Sequence, residues 1–517
     1  MSSHYYITTP LYYVNDKPHL GTAYCTIVAD VLNRYHQFFG EKTLFLTGTD
    51  EHGQKCEQAA KARNLSPQEH CDDMSQNFIQ TWKALNIDYD IFFRTTSPWH
   101  KKAVQKALQE LYDKGDIYLG EYEGWYCVSE EIFYAEKDLV DGKTPSGKEV
   151  QKVKEKNYFF RMSKYQEPLL KHIQEHPHFI QPDFRRNEVL GFLKKPLNDL
   201  NISRPKSRLT WGVEIPFDKD YVTYVWFDAL LNYVTALGYQ QEGKEEHFRT
   251  WWYDAQTTHL LGKDILTTHA VYWPTMLMAL GLPLPKTIFA TGWILNKEKG
   301  KMSKSSGDVI APLHLAEQVG VDPLRYFLVR EIHLGNDAPF SYEILVNRLN
   351  AELSNNLGNL LSRTTNLIHK FFEGKVPNAP SSLDKASQEL KDFALQTPDR
   401  LKEDILSMAP SYALNHVVEL LNKANQYLEQ KAPWKEAKNN LESAGQALYM
   451  AIETLRIAAS LLSPVMPQKM AQLLEALNNP PSTFSACKQW GLLTPSSPVQ
   501  KTPPLFPRLD LKVLAEH

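Results

Sequence analysis

Residues 5–22 read YYITTPLYYVNDKPHLGT, and this stretch decides the expected fold. Its first half predicts a short buried strand, a polar loop follows, and a helix opens at His19-Leu20-Gly21-Thr22 and continues with helical spacing to Phe38. A strand, a loop and a helix N-terminus make an anion site, because unpaired backbone N–H groups and the helix dipole face the loop. The same residues also fit a turn in which His19 only caps the helix.

The strand-and-helix pattern continues on both sides of a later interruption. A second strand, Thr43 to Thr47, ends in Gly48-Thr49-Asp50-Glu51-His52-Gly53. Ligands of an open α/β sheet bind outside the carboxyl ends of its strands, so Asp50 is placed to hold a substrate ammonium; the alternative is a helix N-cap. Thr257 to Leu261 predicts another strand, and Asp264 just beyond it suits a pair of ribose hydroxyls. Thr287 to Thr291 is expected to be the last strand.

The interruption covers roughly residues 116–220, where short aromatic-rich strands alternate with turns. It carries a basic patch, Arg185-Arg186 and Lys194-Lys195, that fits either an RNA phosphate backbone or a solvated face. Arg204, near its end, is a candidate phosphate clamp or a member of a surface ion pair. Beyond Asp322 the strand signals cease, and helical patterns predict a bundle that includes one helix from Pro433 to Leu462.

Composition sets the class of protein. Of the 517 residues 43% are hydrophobic and 23% charged, which is typical of globular domains, and a net charge of −3 gives no overall attraction to nucleic acid. The five cysteines are scattered and never form CxxC, which favours a reducing compartment and a cytoplasmic protein. We find no secretory signal and no apolar run long enough to span a bilayer.

A lysine-serine loop, Lys301-Met302-Ser303-Lys304-Ser305, follows the α/β region. Such a loop can fold over a polyphosphate and lend positive charge as a leaving pyrophosphate develops negative charge. By itself the string also fits a solvated basic loop before a helix.

Taken in this order, the motifs resemble those of the class I aminoacyl-tRNA synthetases, and within them the methionyl-tRNA synthetases of bacterial and mitochondrial type with a short connective insertion. The resemblance covers the chain to about residue 480. It rests on residues 5–15, HLGT at 19–22, TGTDEHGQK at 47–55, YVWFDA at 224–229, GKDI at 262–265 and KMSKS at 301–305.

The resemblance implies a fold, an activity and partners. The fold is an α/β, Rossmann-like parallel-sheet catalytic domain with an inserted subdomain, followed by an α-helical anticodon-binding bundle. The domain boundaries are then 1–115 and 221–292 for the catalytic halves, 116–220 for the insertion, 293–345 for the loop and stem-contact region, and 346–517 for the bundle with its tail. The activity is ATP-dependent ligation of methionine to tRNA(Met), with Mg²⁺ accompanying ATP.

The resemblance also implies site residues, by position. ATP would meet His19, Gly21, Thr22, Arg204, Asp264, Lys301, Ser303 and Lys304, of which His19, Thr22, Lys301 and Lys304 act on the reacting phosphates. Methionine would meet Leu11, Tyr13, Asp50, Trp226, Ala229, Leu230, Tyr233, Ile265 and His269. The anticodon would meet Asn359, Arg363, Pro433 and Trp434. Soft, polarizable sulfur suits such aromatic walls, although Tyr13, Trp226 and Tyr233 also fit core aromatics and Pro433-Trp434 also fits a helix start with a packed indole.

The chain departs from the family pattern at two places. Thr22 stands where a second His is usual, and a hydroxyl donates a hydrogen bond but carries no charge. In the insertion, Cys127-Val128-Ser129-Glu130 and Thr144-Pro145-Ser146-Gly147 lack the cysteine pairs that hold zinc in many relatives. Since tetrahedral zinc needs four ligands, we expect no structural zinc, with packing of Phe133 and Tyr134 in its place.

Three other functions fit parts of the sequence. A synthetase for another apolar amino acid is disfavoured because the insertion is too small for an editing domain. A non-catalytic tRNA-binding or regulatory paralogue is made conceivable by Thr22, but Asp50, Asp264 and the two loop lysines are present. A nucleotidyltransferase would have no use for the bundle with Trp434. The chain ends without an evident dimerisation module, so we expect a monomer that binds no membrane.

Overall fold

The computed structural model describes residues 4–127, 132–134, 136–296 and 310–515. In chain order its strands are β1 (His4–Tyr13), β2 (Lys42–Asp50), β3 (Ile91–Arg94), β4 (Ile117–Cys127), β5 (Ile132–Tyr134), β6 (Gln151–Phe160), β7 (Ile180–Gln181), β8 (Leu200–Asn201), β9 (Ser203–Pro205), β10 (Tyr221–Thr223), β11 (Gln256–Gly262), β12 (Thr287–Thr291), β13 (Ile294–Leu295) and β14 (Ala338–Pro339).

Its α-helices are α1 (Leu20–Phe38), α2 (Gln54–Ala62), α3 (Pro67–Ala84), α4 (Pro98–Asp113), α5 (Gln166–Glu175), α6 (Asp183–Phe192), α7 (Val225–Thr235), α8 (Glu245–Phe248), α9 (Trp273–Ala279), α10 (Pro312–Val319), α11 (Val321–Glu331), α12 (Tyr342–Leu349), α13 (Asn359–Phe371), α14 (Lys385–Leu406), α15 (Pro410–Lys431), α16 (Pro433–Glu436), α17 (Leu441–Leu462), α18 (Pro467–Ala476), α19 (Phe484–Cys487) and α20 (Leu511–Ala515). No helix in the described ranges is long and apolar enough to cross a membrane.

The chain divides into two compact units. The first unit comprises residues up to Pro18, Thr43–Lys83 and Asp88–Ala290. The second unit comprises His19–Lys42, Ala84–Ile87 and the chain from Thr291 onward.

A central sheet organises the first unit. Its strands lie in the order β3-β2-β1-β11-β12-β7, and β1 with β11, β2 with β3 and β12 with β7 pair in parallel. The chain order reverses between β1 and β11, so this is the topological switch point at which an open α/β sheet opens a crevice for ligands. Buried side chains such as Tyr6, Leu46 and Trp273 belong to the core of this unit, as expected where helices cover the faces of a sheet.

A second, antiparallel sheet lies in the predicted insertion. Its order is β5-β4-β6-β8, and β4 pairs with β6 from Ile117 opposite Phe160 to Tyr126 opposite Gln151. The short β7, within the same stretch of sequence, adds to the edge of the central sheet beside β12. Two residues are too few to carry a strand pattern, so sequence periodicity did not predict β7.

Helices dominate the second unit, and α17 lies at its centre. Residues 444, 445 and 447–462 of α17 are all buried, because the helix is apolar on nearly every face and packs against α13, α14, α15 and α18. The predicted single helix from Pro433 to Leu462 is wrong. It is divided into α16 and α17, and Asn440 begins α17 by accepting a hydrogen bond from the Ser443 N–H.

The prediction that Thr287 to Thr291 is the last strand is also wrong. β13 and β14 pair in parallel, with Ile294 opposite Ala338. Each holds two residues and contributes no alternating pattern. The predicted fold class is otherwise confirmed, since a Rossmann-like parallel sheet with an inserted antiparallel sheet precedes an α-helical bundle.

Candidate active site

Several residues predicted to bind the substrate methionine lie in the first unit, at strand ends around the switch point. Leu11 and Tyr13 lie in the last residues of β1, and both are half-buried. Asp50 ends β2 with 2% of its surface exposed, and the N-cap of the following helix is Gly53. The alternative reading of Asp50 as a helix cap is therefore wrong. Ile265 follows β11 in a short turn of 3₁₀-helix.

Four further predicted residues share one face of α7. Trp226, Ala229, Leu230 and Tyr233 are spaced by three, one and three residues, which aligns them along a helix. Ala229, Leu230 and Tyr233 are buried, whereas Trp226 is half-buried. The Trp226 ring packs edge-on against Tyr13, with centroids 6.2 Å apart and planes at 77°. An aromatic wall thus joins α7 to β1.

Tyr233 and His269 form a buried hydrogen-bonded pair. The Tyr233 hydroxyl lies 2.8 Å from His269 Nε2, and His269 Nδ1 lies 3.0 Å from the carbonyl oxygen of Ile265. The carbonyl only accepts, so the proton sits on Nδ1, and Nε2 accepts from the tyrosine hydroxyl. Burial lowers the pKa of His269 to about 4. The pair is therefore uncharged at neutral pH.

A second buried pair joins two of the motifs, and sequence reasoning missed it. His52 Nδ1 lies 2.6 Å from Asp228 Oδ2, and the two side chains are 1% and 0% exposed. His52 belongs to the TGTDEHGQK motif and Asp228 to the YVWFDA motif. Their presence within quoted motifs was the available signal, but the pairing spans 176 positions of sequence.

Glu51 anchors the segment that carries Asp50. Its fully buried carboxylate accepts from Arg94 Nε at 2.7 Å and Arg94 Nη2 at 3.1 Å. The hydroxyls of Thr49 and Thr96 also donate to it. A buried carboxylate is tolerated only when it is paired and hydrogen-bonded in this way.

Arg204 is buried, at 3% exposure, so the surface-ion-pair alternative is wrong. Its Nη1 donates to Asn201 Oδ1 at 3.0 Å and to the Ser203 carbonyl at 2.7 Å. Its guanidinium lies over the rings of Tyr224, at 4.5 Å, and Tyr126, at 5.3 Å. Arg204 thus contributes a buried cation to the first unit.

Asp264, the predicted ribose ligand, is exposed just after β11. A Cβ added to Gly262 would lie 2.5 Å from Asp264 Oδ1. The close approach explains the glycine in the GKDI motif, because any larger residue would displace the carboxylate.

In the second unit, His19 and Thr22 form a reciprocal cap at the start of α1. His19 Nδ1 accepts from the N–H groups of Gly21 and Thr22, at 3.1 and 3.4 Å. Thr22 Oγ1 accepts from the His19 N–H at 3.0 Å and lies 2.8 Å from the His19 carbonyl. His19 therefore caps α1 through Nδ1. The cap also fixes the tautomer, since an Nδ1 that accepts leaves the proton on Nε2.

Anticodon candidates in the second unit lie on α13 and α16. Asn359 is exposed at the start of α13, and Arg363 lies one turn later. The Arg363 guanidinium lies 4.8 Å from the ring centre of Trp434 and 2.7 Å from Glu429. Trp434 is half-buried in the first turn of α16, after the buried Pro433. The structure thus places Arg363 beside Trp434.

Some predicted residues cannot be placed. Lys301, Ser303 and Lys304 lie outside the described residues, as do Val128, Ser129 and Glu130 of the insertion. In the described part of the chain, histidine, cysteine and acidic side chains form no group of three or more with the geometry of a metal site.

Family models match nearly the whole chain. The model described as tRNA synthetases class I (M) matches residues 5–152 and 136–365. The model described as the anticodon binding domain of methionyl tRNA ligase matches residues 379–502.

Curated relatives and solved structures agree with these models. The methionine–tRNA ligase of Caldanaerobacter subterraneus is 45% identical over 517 residues, covering 99% of this chain and 80% of that protein. The Bacillus subtilis enzyme of the same name is 43% identical, covering 98% and 78%. A Mycobacterium tuberculosis methionyl-tRNA synthetase solved with methionyl-adenylate superposes with a TM-score of 0.93 at 39% identity, covering 98% of this chain and 100% of that one. With these matches across both units, the chain belongs to the methionine–tRNA ligases, a family of class I aminoacyl-tRNA synthetases.

Proposed function

We propose that this ligase binds methionine against α7 and the ends of β1 and β11, activates it with ATP, and transfers it to the terminal ribose of tRNA(Met). The observation that most supports this proposal is the neutral Tyr233–His269 pair, in which both side chains are buried and joined by a hydrogen bond of 2.8 Å. A neutral aromatic wall suits a polarizable thioether and disfavours a charged side chain. The solved relative with methionyl-adenylate supports the same ligand class.

Asp50 holds the substrate ammonium in this proposal. Its carboxylate is buried at the carboxyl end of β2, where an opposite charge is attracted more strongly than in water. The substrate side chain then meets the other residues that the resemblance assigns: Leu11, Tyr13, Trp226, Ala229, Leu230, Tyr233, Ile265 and His269.

ATP is bound through donors that neutralise phosphate and a carboxylate that holds ribose. His19 uses Nδ1 for its own cap, so the Nε2–H is the donor offered to a phosphate oxygen. Gly21 lets the nucleotide approach the N-terminus of α1, and Asp264 accepts from the ribose hydroxyls. Arg204, Thr22, Lys301, Ser303 and Lys304 are assigned to ATP by resemblance.

Activation needs no covalent side-chain nucleophile. A carboxylate oxygen of methionine attacks the α-phosphorus of ATP, the bond to the β-phosphate bridge breaks, and pyrophosphate leaves. A ribose hydroxyl of tRNA then attacks the acyl carbon and AMP leaves. Mg²⁺ enters as part of the ATP substrate. The protein contributes positioning and charge stabilisation, with Lys301 and Lys304 assigned to the leaving pyrophosphate.

The tRNA is read by the second unit. Unstacked anticodon bases are recognised by edge hydrogen bonds and by aromatic stacking. Trp434 offers a half-buried indole in the first turn of α16, and Arg363 and Asn359 offer hydrogen-bond donors one helical turn apart. The match to the anticodon binding domain of methionyl tRNA ligases supports this assignment.

The insertion folds without zinc in this proposal. The segment Thr144-Pro145-Ser146-Gly147 lies where many relatives carry a cysteine pair. In this segment Thr144 Oγ1 lies 2.7 Å from Ser146 Oγ and accepts from the Lys148 N–H at 3.1 Å. A hydrogen-bonded turn thus takes the place of a metal knuckle. Metal analysis of the purified protein is expected to give much less than one zinc per chain, and stoichiometric zinc would contradict this.

We also propose that the enzyme works as a cytoplasmic monomer, with the domain boundaries expected from the sequence: 1–115 and 221–292, 116–220, 293–345 and 346–517. Scattered, unbridged cysteines support a reducing compartment. Sedimentation of the purified chain tests the monomer.

ATP–pyrophosphate exchange without tRNA, run across a panel of amino acids, tests the proposed function. We expect exchange with methionine alone. Exchange with another apolar amino acid would overturn the pocket assignment. No exchange from a folded protein that binds tRNA would instead identify a non-catalytic paralogue.

A further inference from the structure

Cys56 and Cys71 lie against each other inside the first unit. Their Sγ atoms are 3.2 Å apart, and the residues are 1% and 0% exposed. Cys56 is on α2 and Cys71 on α3. Both are free thiols, and neither is assigned a role in the reaction.

A hydrogen bond and an ion pair fix the helices that carry the two cysteines. His70 Nε2 lies 2.8 Å from the carbonyl of Val14 at the end of β1, and Arg63 pairs with Asp73 at 2.6 Å across the α2–α3 turn. The two sulfurs also pack with Val14 and Met74 in a small apolar cluster. The sulfur–sulfur contact is therefore set by the fold.

The pair touches the segment that carries Asp50. The Cys71 thiol lies 3.4 Å from the carbonyl oxygen of Glu51, which also accepts from Trp211 Nε1 at 2.5 Å. Since Glu51 directly follows Asp50, a displacement of Cys71 changes a hydrogen bond at the neighbouring peptide.

We propose that Cys56 and Cys71 are an oxidation site, at which hydrogen peroxide forms a reversible disulfide that weakens methionine binding by displacing Glu51 and Asp50. The weakened binding rests on the proposed role of Asp50, whereas disulfide formation does not. Peroxide is the oxidant class named because it is little larger than water, whereas burial of both residues disfavours larger oxidants.

The chemistry balances with one peroxide per disulfide. One thiol, as its thiolate, attacks peroxide, the O–O bond breaks, and sulfenic acid and water result. The second sulfur attacks the sulfenic sulfur, the S–O bond breaks, and a second water leaves. Two sulfurs are oxidised and the two peroxide oxygens are reduced. The sulfurs approach by roughly 1.1 Å, from 3.2 Å to the bonded distance of about 2.05 Å.

The reaction is expected to be slow but selective. The hydrogen bond with Cys56, together with burial, raises the pKa of the Cys71 thiol, so little thiolate is present at neutral pH. Once one sulfur is oxidised, its partner already lies in contact, and ring closure precedes further oxidation. Alkylation by iodoacetamide is expected at these thiols only after unfolding.

Peptide mapping tests the disulfide directly. The full chain is treated with dilute peroxide, blocked with iodoacetamide in denaturant, and digested with trypsin without reduction. We expect the peptides of residues 56–61 and 64–83 to appear linked and to separate with dithiothreitol. The link is expected to persist in Cys487→Ala, a buried cysteine elsewhere, and to vanish in Cys56→Ser and Cys71→Ala. Circular dichroism establishes that each variant is folded.

Methionine-dependent exchange tests the functional half. A contraction of about 1 Å beside a binding residue is expected to raise KM for methionine about tenfold, reversibly with dithiothreitol, and Cys56→Ser is expected to resist peroxide. No link in the folded wild type overturns the proposal, and a linked enzyme with unchanged KM overturns its functional half. An untreated enzyme without methionine-dependent exchange would refute the proposed function but leave the mapping result standing.

Discussion

Replacing Tyr233 with phenylalanine removes one oxygen atom from the proposed methionine pocket and leaves the ring in place. In the structure that oxygen donates to His269 Nε2 at 2.8 Å, both residues are at most 2% exposed, and His269 is held from its other side by the Ile265 carbonyl. The variant therefore leaves a buried, neutral imidazole nitrogen without its donor, and the ring loses one of the two bonds that orient it.

The magnitude follows from the cost of an unsatisfied buried acceptor, about 1–3 kcal/mol. This cost is already present in the empty pocket, so it should appear as lost stability. Methionine binding is weakened only by the cost of re-ordering the imidazole when methionine enters. The cost of the unsatisfied acceptor is therefore an upper bound for the loss of binding free energy. We expect KM for methionine to rise by more than twofold and by at most about 150-fold, and KM for ATP to change little, because each 1.4 kcal/mol is a factor of ten.

The assay is ATP–pyrophosphate exchange at varied methionine, paired with thermal unfolding. Tyr35→Phe is the matched control. It removes the same atom from a fully buried tyrosine whose hydroxyl donates to the Leu461 carbonyl at 2.9 Å in the second unit. The control is expected to lower stability without changing KM for methionine. If Tyr233→Phe lowers stability like the control but leaves KM for methionine within twofold, the pocket role of the pair is refuted.

Three further predictions concern other parts of the chain. Trp434→Ala is expected to lower the kcat/KM of aminoacylation by a factor that corresponds to about 1–3 kcal/mol, the free energy of stacking one base on an aromatic ring. ATP–pyrophosphate exchange should be unchanged, and equal losses in both assays would exclude an anticodon role. Burial lowers the pKa of His269 to about 4 and of His100 to about 3, below the unfolded value of 6.5. The unfolded state then binds more protons between these limits, so the free energy of unfolding, measured by urea titration, should fall by about 2 kcal/mol per histidine from pH 7 to pH 5, and a flat profile would contradict the burial argument. Thr22→Val breaks the reciprocal cap with His19 and should cost about 0.5–2 kcal/mol of stability while raising KM for ATP; an unchanged melting temperature would contradict the capping role.

The sequence predicted long elements well and short ones poorly. Helix α1 and strand β12 were predicted with the bounds the structure has, because a buried face repeated over many residues leaves a clear period. Strands β7, β13 and β14 hold two residues each and owe their pairing to distant partners. The break between α16 and α17 depends on one asparagine cap, and apolar periodicity resumes after it, so the pattern looked continuous.

The candidate site shows the same limit. The resemblance assigned Asp50, Tyr233 and His269 to methionine, and the structure places Asp50 at the end of β2 and Tyr233 and His269 in contact on two different helices. The resemblance gave neither the His269 tautomer nor the burial of Arg204. Both depend on partners that lie far along the chain or on backbone carbonyls, which a sequence does not display.

The segment from Asp50 to His52 shows what the unpredicted contacts do. Its hydrogen bonds include those of the Glu51 carboxylate with Arg94, of the Glu51 carbonyl with Trp211, and of His52 with Asp228. The attraction between a buried carboxylate such as Asp50 and an incoming ammonium appears as binding free energy only if the chain around the carboxylate is already ordered, because ordering it on binding would offset that energy. These hydrogen bonds remove that cost before substrate arrives. Weakening one of them should therefore raise KM for methionine and leave the transfer step, which uses groups on the nucleotide and the tRNA, largely intact. Glu51 and His52 thus hold in place Asp50, the residue that we propose meets the substrate ammonium.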